Sequence, residues 1–213
     1  NDELWILDKD LDMHHHQGDK RRKNNLKEKA PRIPEYIKLY DYQKEAIENW
    51  KNANYRGIYD MATGTGKTIT AIASMIELYK EKNGNLFVLI VAPFQHLVEQ
   101  WAEELISFNI LPIIAYSSSS QKNWRKIFRE SIFDFKHDVS FKNFVVIVTT
   151  NATFSTNFFQ GQIKKVPKEK ALFIADEAHN LGSENISKKL PEFDFRLALS
   201  ATLERHHDDE GTQ

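Results

Sequence analysis

One segment of the chain is rich in glycine and joins an apolar stretch to a helical one. It reads Met61-Ala62-Thr63-Gly64-Thr65-Gly66-Lys67-Thr68. Residues 57–60 have the composition of a short strand, and apolar residues recur at helical spacing over about 67–82, so the segment predicts a strand, a tight turn and an amphipathic helix. Glycines let such a turn wrap an anion with its N–H groups pointing inward. The helix N-terminus adds partial positive charge at the same place.

The residue types in this turn suit a nucleoside triphosphate. Lys67 is placed to contact the β- and γ-phosphates, and the Thr68 hydroxyl is placed to ligate Mg²⁺. Loops of this kind usually begin with glycine, where this chain has Met61, and a turn without a ligand is the alternative. The Gly-x-Gly-Lys-Thr core favours the phosphate. The expected nucleotide-binding residues of the turn are Thr63, Gly64, Thr65, Gly66, Lys67 and Thr68.

Two acidic residues, Asp176 and Glu177, directly follow the apolar run 172–175. Asp176 suits a Mg²⁺ ligand, and Glu177 suits a general base that polarises an attacking water. An exposed strand end is the alternative, but several βα units fit between Lys67 and Asp176, so the two can be neighbours in one sheet. The pair therefore predicts hydrolysis, with Glu177, Lys67 and Asp176 as the catalytic residues.

The rest of the chain alternates between apolar runs of strand length and segments of helical periodicity. Predicted strands are 57–60, 86–92, 110–116, 144–148, 171–175 and 196–199. Predicted helices begin at Asp41, as N-cap, and near Leu97 and Trp124. Trp101, four residues after Leu97, is expected in the core. This pattern predicts an α/β fold with a mostly parallel sheet and helices on both faces, and ligands bind beyond the carboxyl ends of such strands.

Length and composition set further bounds. The chain has 213 residues, a formal net charge of −1 and no cysteine, which excludes a disulfide framework and a cysteine nucleophile. The longest apolar run, 86–94, is too short to cross a bilayer, and we expect a cytoplasmic protein with no membrane partner. Because the charge is near zero, nucleic-acid binding needs a local patch. We expect an N-terminal extension or linker over 1–36, with a basic run at 17–33, and one domain over 37–213.

Taken in order, these segments resemble the motifs of superfamily 2 helicases. The turn at 62–68 is similar to motif I, 91–101 to motif Ia, and 148–150 to motif Ib. Asp176-Glu177-Ala178-His179 resembles motif II of the DEAH type, and Ser200-Ala201-Thr202 resembles motif III. Over 37–213 the chain is similar to the first RecA-like lobe of DNA helicases and translocases. The residues at 201–205 and 208–212 favour the restriction-type branch, the motor subunits of type I and type III restriction enzymes and related phage-defence helicases.

The resemblance implies a RecA-like P-loop NTPase fold, with ATP and Mg²⁺ as cofactors. It implies that Gln43 contacts adenine, with an exposed residue at a helix start as the alternative. Thr68 and Asp176 would hold the metal. The implied nucleic-acid contacts are Pro93, His96, Thr149 and Thr150, the two threonines having helix capping as an alternative. The implied coupling residues are His179, Ser200 and Thr202. The family often has proline after motif III, where this chain has Leu203.

By this resemblance the chain is the ATP-binding lobe of an ATP-dependent DNA helicase or translocase from a restriction or phage-defence system. Motifs IV to VI and their arginine fingers, which belong to a second RecA-like lobe, are absent from these 213 residues. We therefore expect the isolated chain to bind ATP but hydrolyse it poorly. Expected partners are duplex DNA, the second lobe in the parent chain, and a nuclease or restriction subunits. A nucleotide-gated nucleic-acid clamp without motor activity is the alternative.

Overall fold

The computed structural model describes residues 30–62, 64–140, 142–181 and 188–201. Thr63 and Thr202 lie outside the described residues, as does most of the predicted extension. The described residues from Ile33 onward belong to one compact unit. The boundary between extension and lobe at residue 36 stays a prediction.

Helices and strands alternate along the described chain. The helices are α1 Asp41–Asn52, α2 Lys67–Glu81, α3 Gln95–Ser107, α4 Trp124–Lys136, α5 Asn151–Phe154 and α6 Asn157–Ile163. The strands are β1 Arg56–Asp60, β2 Leu86–Ala92, β3 Ile113–Ala115, β4 Phe144–Thr150, β5 Ala171–Ala175 and β6 Phe195–Ser200. Short 3₁₀ turns cover Lys168–Lys170 and Ala178–Leu181. None of the described helices is long and apolar enough to cross a bilayer.

The described strands form one sheet in the order β1-β6-β5-β2-β4-β3. Every pairing in it is parallel, so all carboxyl ends lie at one edge. The central strands β2 and β5 are buried along their whole length, which explains why each is a continuous apolar run. The predicted parallel α/β sheet is confirmed.

Two separate cores lie on the two faces of this sheet, because side chains alternate along each strand. On β2, Val88 and Ile90 pack in one core together with residues of α1, α2 and α3. Phe87 and Leu89 pack in the other core with residues of α4, α5 and α6. The prediction of helices on both faces is therefore confirmed.

Two local predictions were wrong. The third strand is Ile113–Ala115 and not 110–116, because the Ile110 N–H closes the end of α3 on the Leu105 carbonyl and Pro112 has no N–H to donate. The N-cap of α1 is Tyr40 and not Asp41, which is the first helical residue. The Tyr40 N–H donates to Gln43 Oε1 at 2.9 Å, so the side chain of Gln43 closes the helix start.

Candidate nucleotide and nucleic-acid site

The order of the strands sorts the predicted site residues into two neighbouring groups. The glycine-rich turn follows β1, Ser200 ends β6, and Asp176 follows β5, so these three lie at adjacent strand ends. Pro93 follows β2, and Thr150 ends β4, on the other half of the same edge. The residues predicted to bind nucleotide and those predicted to bind nucleic acid therefore lie at the same edge of the sheet, formed by the carboxyl ends of its strands. The boundary between the two groups lies between β5 and β2.

The predicted phosphate-binding turn has glycine at two positions where the backbone conformation favours it. Gly64 has φ +81° and Gly66 has φ +79°, both in the left-handed region. The Thr65 hydroxyl donates to the Ala62 carbonyl at 2.7 Å inside the turn. The Met61 N–H donates to the Ser200 carbonyl at 3.2 Å, which ties the start of the turn to the end of β6. The turn is thus held by its own hydrogen bonds and by the neighbouring strand.

Gln43 is buried against this turn, with 3% of its surface exposed, so the alternative of an exposed residue at a helix start is wrong. Its Oε1 accepts from the Tyr40 N–H, and its Nε2 lies 3.5 Å from the carbonyls of Thr65 and Gly66. The Tyr42 hydroxyl also donates to the Thr65 carbonyl at 2.9 Å. Helix α1 therefore supports the turn from outside, and an adenine contact by Gln43 stays a prediction.

We predict that Gly66→Ala destabilises the chain more than Gly64→Ala does. Both substitutions place a side chain in the left-handed region, at a cost of about 1–2 kcal/mol each. A Cβ on Gly66 would also lie 2.8 Å from Gln43 Nε2, whereas a Cβ on Gly64 meets nothing within 4 Å. Displacing the Gln43 amide should add on the order of 1 kcal/mol to the Gly66→Ala loss. Urea unfolding of the two variants measures the difference, and equal losses would contradict the Gln43 contact.

The carboxylate of Asp176 is held by hydrogen bonds from two different elements. Its backbone N–H continues the β5–β2 ladder by donating to the Val91 carbonyl at 2.9 Å. Oδ2 accepts from the Trp101 indole N–H at 2.9 Å, and Oδ1 accepts from the Glu177 N–H at 3.0 Å. The side chain is nearly buried, with 9% of the residue exposed. The orientation of this carboxylate is therefore fixed before any ligand binds.

Burial raises the pKa of Asp176 above its ordinary value. The Trp101 hydrogen bond opposes this rise, the charge of Glu177 adds to it, and the Lys67 ammonium lowers the pKa again. Lys67 begins α2 after the turn that follows β1, and Asp176 follows β5, so the strands that lead to the two residues are separated in the sheet order by β6.

Glu177 adopts a backbone conformation that is unusual for a residue with a side chain, with φ +47°. Such conformations cost free energy and are enriched at functional sites. The Glu177 side chain is 29% exposed, and its Oε2 lies 3.6 Å from His179 Nδ1. The turn after β5 thus presents the Glu177 carboxylate toward solvent while Asp176 stays buried.

The groups at this edge fit a hydrated Mg²⁺ ion with a triphosphate. Each oxygen of Asp176 accepts one N–H and keeps further lone-pair capacity. Carboxylate and hydroxyl oxygens, here from Asp176 and Thr68, are the donors that Mg²⁺ prefers. A Cβ built on Gly64 would meet no atom within 4 Å other than those of its chain neighbours, which is compatible with a ligand beside the turn. Thr68 is half-buried at the first turn of α2.

The four predicted nucleic-acid residues differ in exposure. His96 is exposed in the first turn of α3, and Pro93 is half-buried just before it. Thr150 is buried and caps α5 by accepting from the Thr153 N–H at 3.2 Å, which supports the capping alternative. Thr149 is fully buried, and its hydroxyl donates to the Ala115 carbonyl at 2.7 Å. In this conformation the Thr149 hydroxyl is not available to a phosphate.

Two features of the site are not predicted by the sequence. Trp101 was expected in the core, and it is buried with 2% exposed, but its hydrogen bond to Asp176 was not foreseen. A buried tryptophan needs an acceptor for its N–H, and that requirement was the available signal. Phe94 is 56% exposed and stacks on His96, with ring centroids 5.7 Å apart and planes 8° apart. No sequence signal distinguished Phe94 from a core residue.

The fold and the site together define the first RecA-like lobe of a superfamily 2 helicase. The chain belongs to the family of type III restriction enzyme res subunits, whose sequence profile matches residues 36–205. The resemblance inferred from the motifs is therefore confirmed.

Individual relatives agree with this assignment. The DNA 3'-5' translocase XPB2 of Sulfurisphaera tokodaii is 30% identical over 179 residues, or 82% of this chain. A nuclease-deletion mutant of the type ISP restriction-modification enzyme LlaGI, solved with a DNA substrate mimic, matches 82% of this chain with a TM-score of 0.61 and 25% identity. The SWI2/SNF2 ATPase core of Sulfolobus solfataricus, solved with dsDNA, matches 78% with a TM-score of 0.57 and shares the fold at 22% identity.

The chain corresponds to part of each of these proteins. It spans 33% of the length of the XPB2 translocase, 19% of the LlaGI chain and 32% of the SWI2/SNF2 core.

Proposed function

We propose that this chain is the ATP-binding lobe of an ATP-dependent DNA helicase or translocase that works in a restriction or phage-defence system. The observation that carries the proposal is the meeting of the phosphate-binding turn, Ser200 and the Asp176–Glu177 pair at the adjacent carboxyl ends of β1, β6 and β5. Nucleotides bind at this edge in open parallel sheets. Family membership and the likeness to LlaGI support the restriction setting.

The residues at this edge have complementary roles in ATP hydrolysis. The N–H groups of the turn and the Lys67 ammonium bind the β- and γ-phosphates, and Thr63, Thr65 and Gln43 complete the nucleotide contacts. Thr68 and Asp176 would hold Mg²⁺, which neutralises charge on the phosphate oxygens. A water attacks the γ-phosphorus, its proton passes to Glu177, and the bond to the β–γ bridging oxygen breaks so that ADP leaves with the electron pair.

Nucleic acid would bind on the other half of the same edge. His96 and Pro93 stand at the start of α3, and the Phe94 ring holds the His96 ring in a defined orientation. Thr150 stands at the end of β4, beside them. The LlaGI mutant was solved with a DNA substrate mimic and the SWI2/SNF2 core with dsDNA, which supports duplex DNA as the partner. His179, Ser200 and Thr202 would link the two halves, since Ser200 contacts the turn and His179 lies beside Glu177.

A second RecA-like lobe in the parent protein would complete the catalytic site. Arginine fingers in related NTPases contribute about 10³–10⁵ in turnover. The residues that we propose for this site include a lysine and two carboxylates and no arginine. We therefore propose that the isolated chain binds ATP and hydrolyses it poorly. A nuclease or other restriction subunits are the further partners that this setting implies.

Phosphate release from Mg²⁺-ATP by this chain, with and without duplex DNA, tests the proposal beside a direct measurement of ATP binding. We expect ATP binding, with turnover at least about 10³-fold below that of the complete protein, as for NTPases that lack their arginine finger. Absence of ATP binding would contradict the proposed function. Rapid, DNA-stimulated release by the isolated chain would contradict only the need for a second lobe.

A further inference from the structure

Trp101 links the two groups of predicted site residues at the carboxyl ends of the strands, the nucleotide-binding group and the nucleic-acid-binding group. It lies on α3, which follows β2 and carries His96 in its first turn, yet its indole N–H donates at 2.9 Å to Asp176 at the end of β5. This hydrogen bond crosses the junction between the predicted nucleic-acid residues and the predicted nucleotide residues. Leu105, one turn further along α3, is equally buried but has no polar atom to offer.

The surroundings make this hydrogen bond specific. Trp101 is 2% exposed and Asp176 is 9% exposed, so water does not readily replace either partner. An indole has one N–H and no acceptor, so it can engage Asp176 in one way. The Glu177 N–H donates to the other carboxylate oxygen, Oδ1. Two donors from different residues therefore fix the plane of the Asp176 carboxylate. Loss of one donor would leave the carboxylate free to rotate.

We propose that Trp101 is a positioning residue that sets the orientation of the Asp176 carboxylate for its Mg²⁺ ion. The inference rests on the proposed function, because it takes Asp176 as the metal-binding carboxylate of the nucleotide site. Trp101 touches neither the metal nor the nucleotide and acts through Asp176. Residues that orient metal ligands typically contribute about 10–100-fold to metal affinity.

The test compares Trp101→Phe with Trp124→Phe. Trp124 is a matched control because it is also 2% exposed and its indole N–H also donates to one oxygen, the Tyr116 carbonyl at 3.1 Å. It lies in the core on the opposite face of the sheet. Each substitution keeps an aromatic ring and removes one buried N–H donor, so losses of packing and stability are comparable between the two variants.

ADP affinity is measured by calorimetric titration at a series of fixed Mg²⁺ concentrations. The quantity compared between variants is the Mg²⁺ concentration at which half of the full increase in ADP affinity is reached. We expect Trp101→Phe to raise this concentration at least about tenfold while ADP affinity in EDTA stays at the wild-type value. We expect Trp124→Phe to leave both quantities unchanged. An unaltered Mg²⁺ dependence in folded Trp101→Phe would overturn the proposal. Equal shifts in Trp101→Phe and Trp124→Phe would also overturn it, because a purely structural role moves both variants alike.

A second measurement does not depend on the folding of Trp101→Phe. In the ¹⁵N spectrum of the chain, the indole N–H signal of Trp101 can be assigned by eliminating the other tryptophans, Trp5, Trp50 and Trp124. We expect Asp176→Asn to shift the Trp101 signal and to leave that of Trp124 in place. An unmoved Trp101 signal would overturn the proposal. A different result would contradict the proposed function itself: the wild-type chain would bind no nucleotide at any Mg²⁺ concentration.

Discussion

Lys67→Ala should lower the affinity of the chain for ATP and ADP by about 10–100-fold. Lys67 is the first residue of α2 and directly follows Gly66 of the predicted phosphate-binding turn, so it is the cation that we expect to contact the phosphates. A charge-assisted hydrogen bond to a phosphate contributes about 1.5–3 kcal/mol, which corresponds to this loss. Calorimetric titration of ADP into the wild-type chain and the variant measures it. Unchanged affinity would remove the basis for assigning this turn to nucleotide binding.

Lys80→Ala is the matched control for this experiment. Lys80 lies in the last turn of the same helix, is largely exposed and pairs with Glu77 at 2.7 Å. Its substitution removes the same charge from α2 but at the far end from the turn. We expect Lys80→Ala to bind ADP within about twofold of the wild-type chain, because an exposed pair of this kind contributes at most about 1 kcal/mol to stability.

Glu177→Gln should lower ATP turnover by about 10²–10⁴-fold in a protein that joins this lobe to the proposed second lobe. The amide keeps the size of the side chain but cannot accept the proton of the attacking water. Because Glu177 contacts Asp176 through its backbone N–H, the substitution leaves that hydrogen bond in place. ATP affinity should therefore stay within about threefold of the wild-type value, so the loss would appear in kcat rather than in binding.

The experiment measures phosphate release in the presence of duplex DNA, with Glu103→Gln as the control. Glu103 is an exposed residue of α3 and makes no contact with Asp176 among the described hydrogen bonds. We expect Glu103→Gln to release phosphate at the wild-type rate. Wild-type turnover in Glu177→Gln would exclude Glu177 as the general base and would leave the acidic pair with a metal-binding role alone.

The sequence was sufficient for the class of fold, and the reason lies in the strands. Continuous apolar runs such as Leu86–Ala92 occur where a strand is covered on both faces, and this indicates a parallel sheet without any knowledge of pairing. Periodicity does not reveal which strands are neighbours. The insertion of β6 between β1 and β5 therefore came from the structure, and it decides that Ser200 lies between the turn and Asp176.

Candidate site residues can be selected from the sequence where the chemistry restricts the residue type, but not where burial decides what a side chain contacts. Asp176 and Glu177 stand out because paired acids rarely follow a buried strand without a ligand, and Lys67 stands out because it follows the glycines of a turn that opens a helix. Thr149 matched a motif position, but the structure places its hydroxyl inside the sheet on the Ala115 carbonyl. Trp101 lies at four-residue spacing between Leu97 and Leu105, and this spacing predicts that its side chain is buried. Spacing does not predict which group accepts the indole hydrogen bond, here Asp176.

The pairing of β1 with β6 has a consequence for how the chain folds. β1 is an outermost strand of the described sheet and pairs with β6, with Arg56 opposite Arg196 and Asp60 opposite Ser200. Synthesis runs from the N-terminus, so the first strand of the sheet emerges from the ribosome long before its partner exists. Contacts between such distant segments also form slowly. The phosphate-binding turn should therefore mature last, and incomplete nascent chains that end before β6 should be unable to gain stability from cellular ATP.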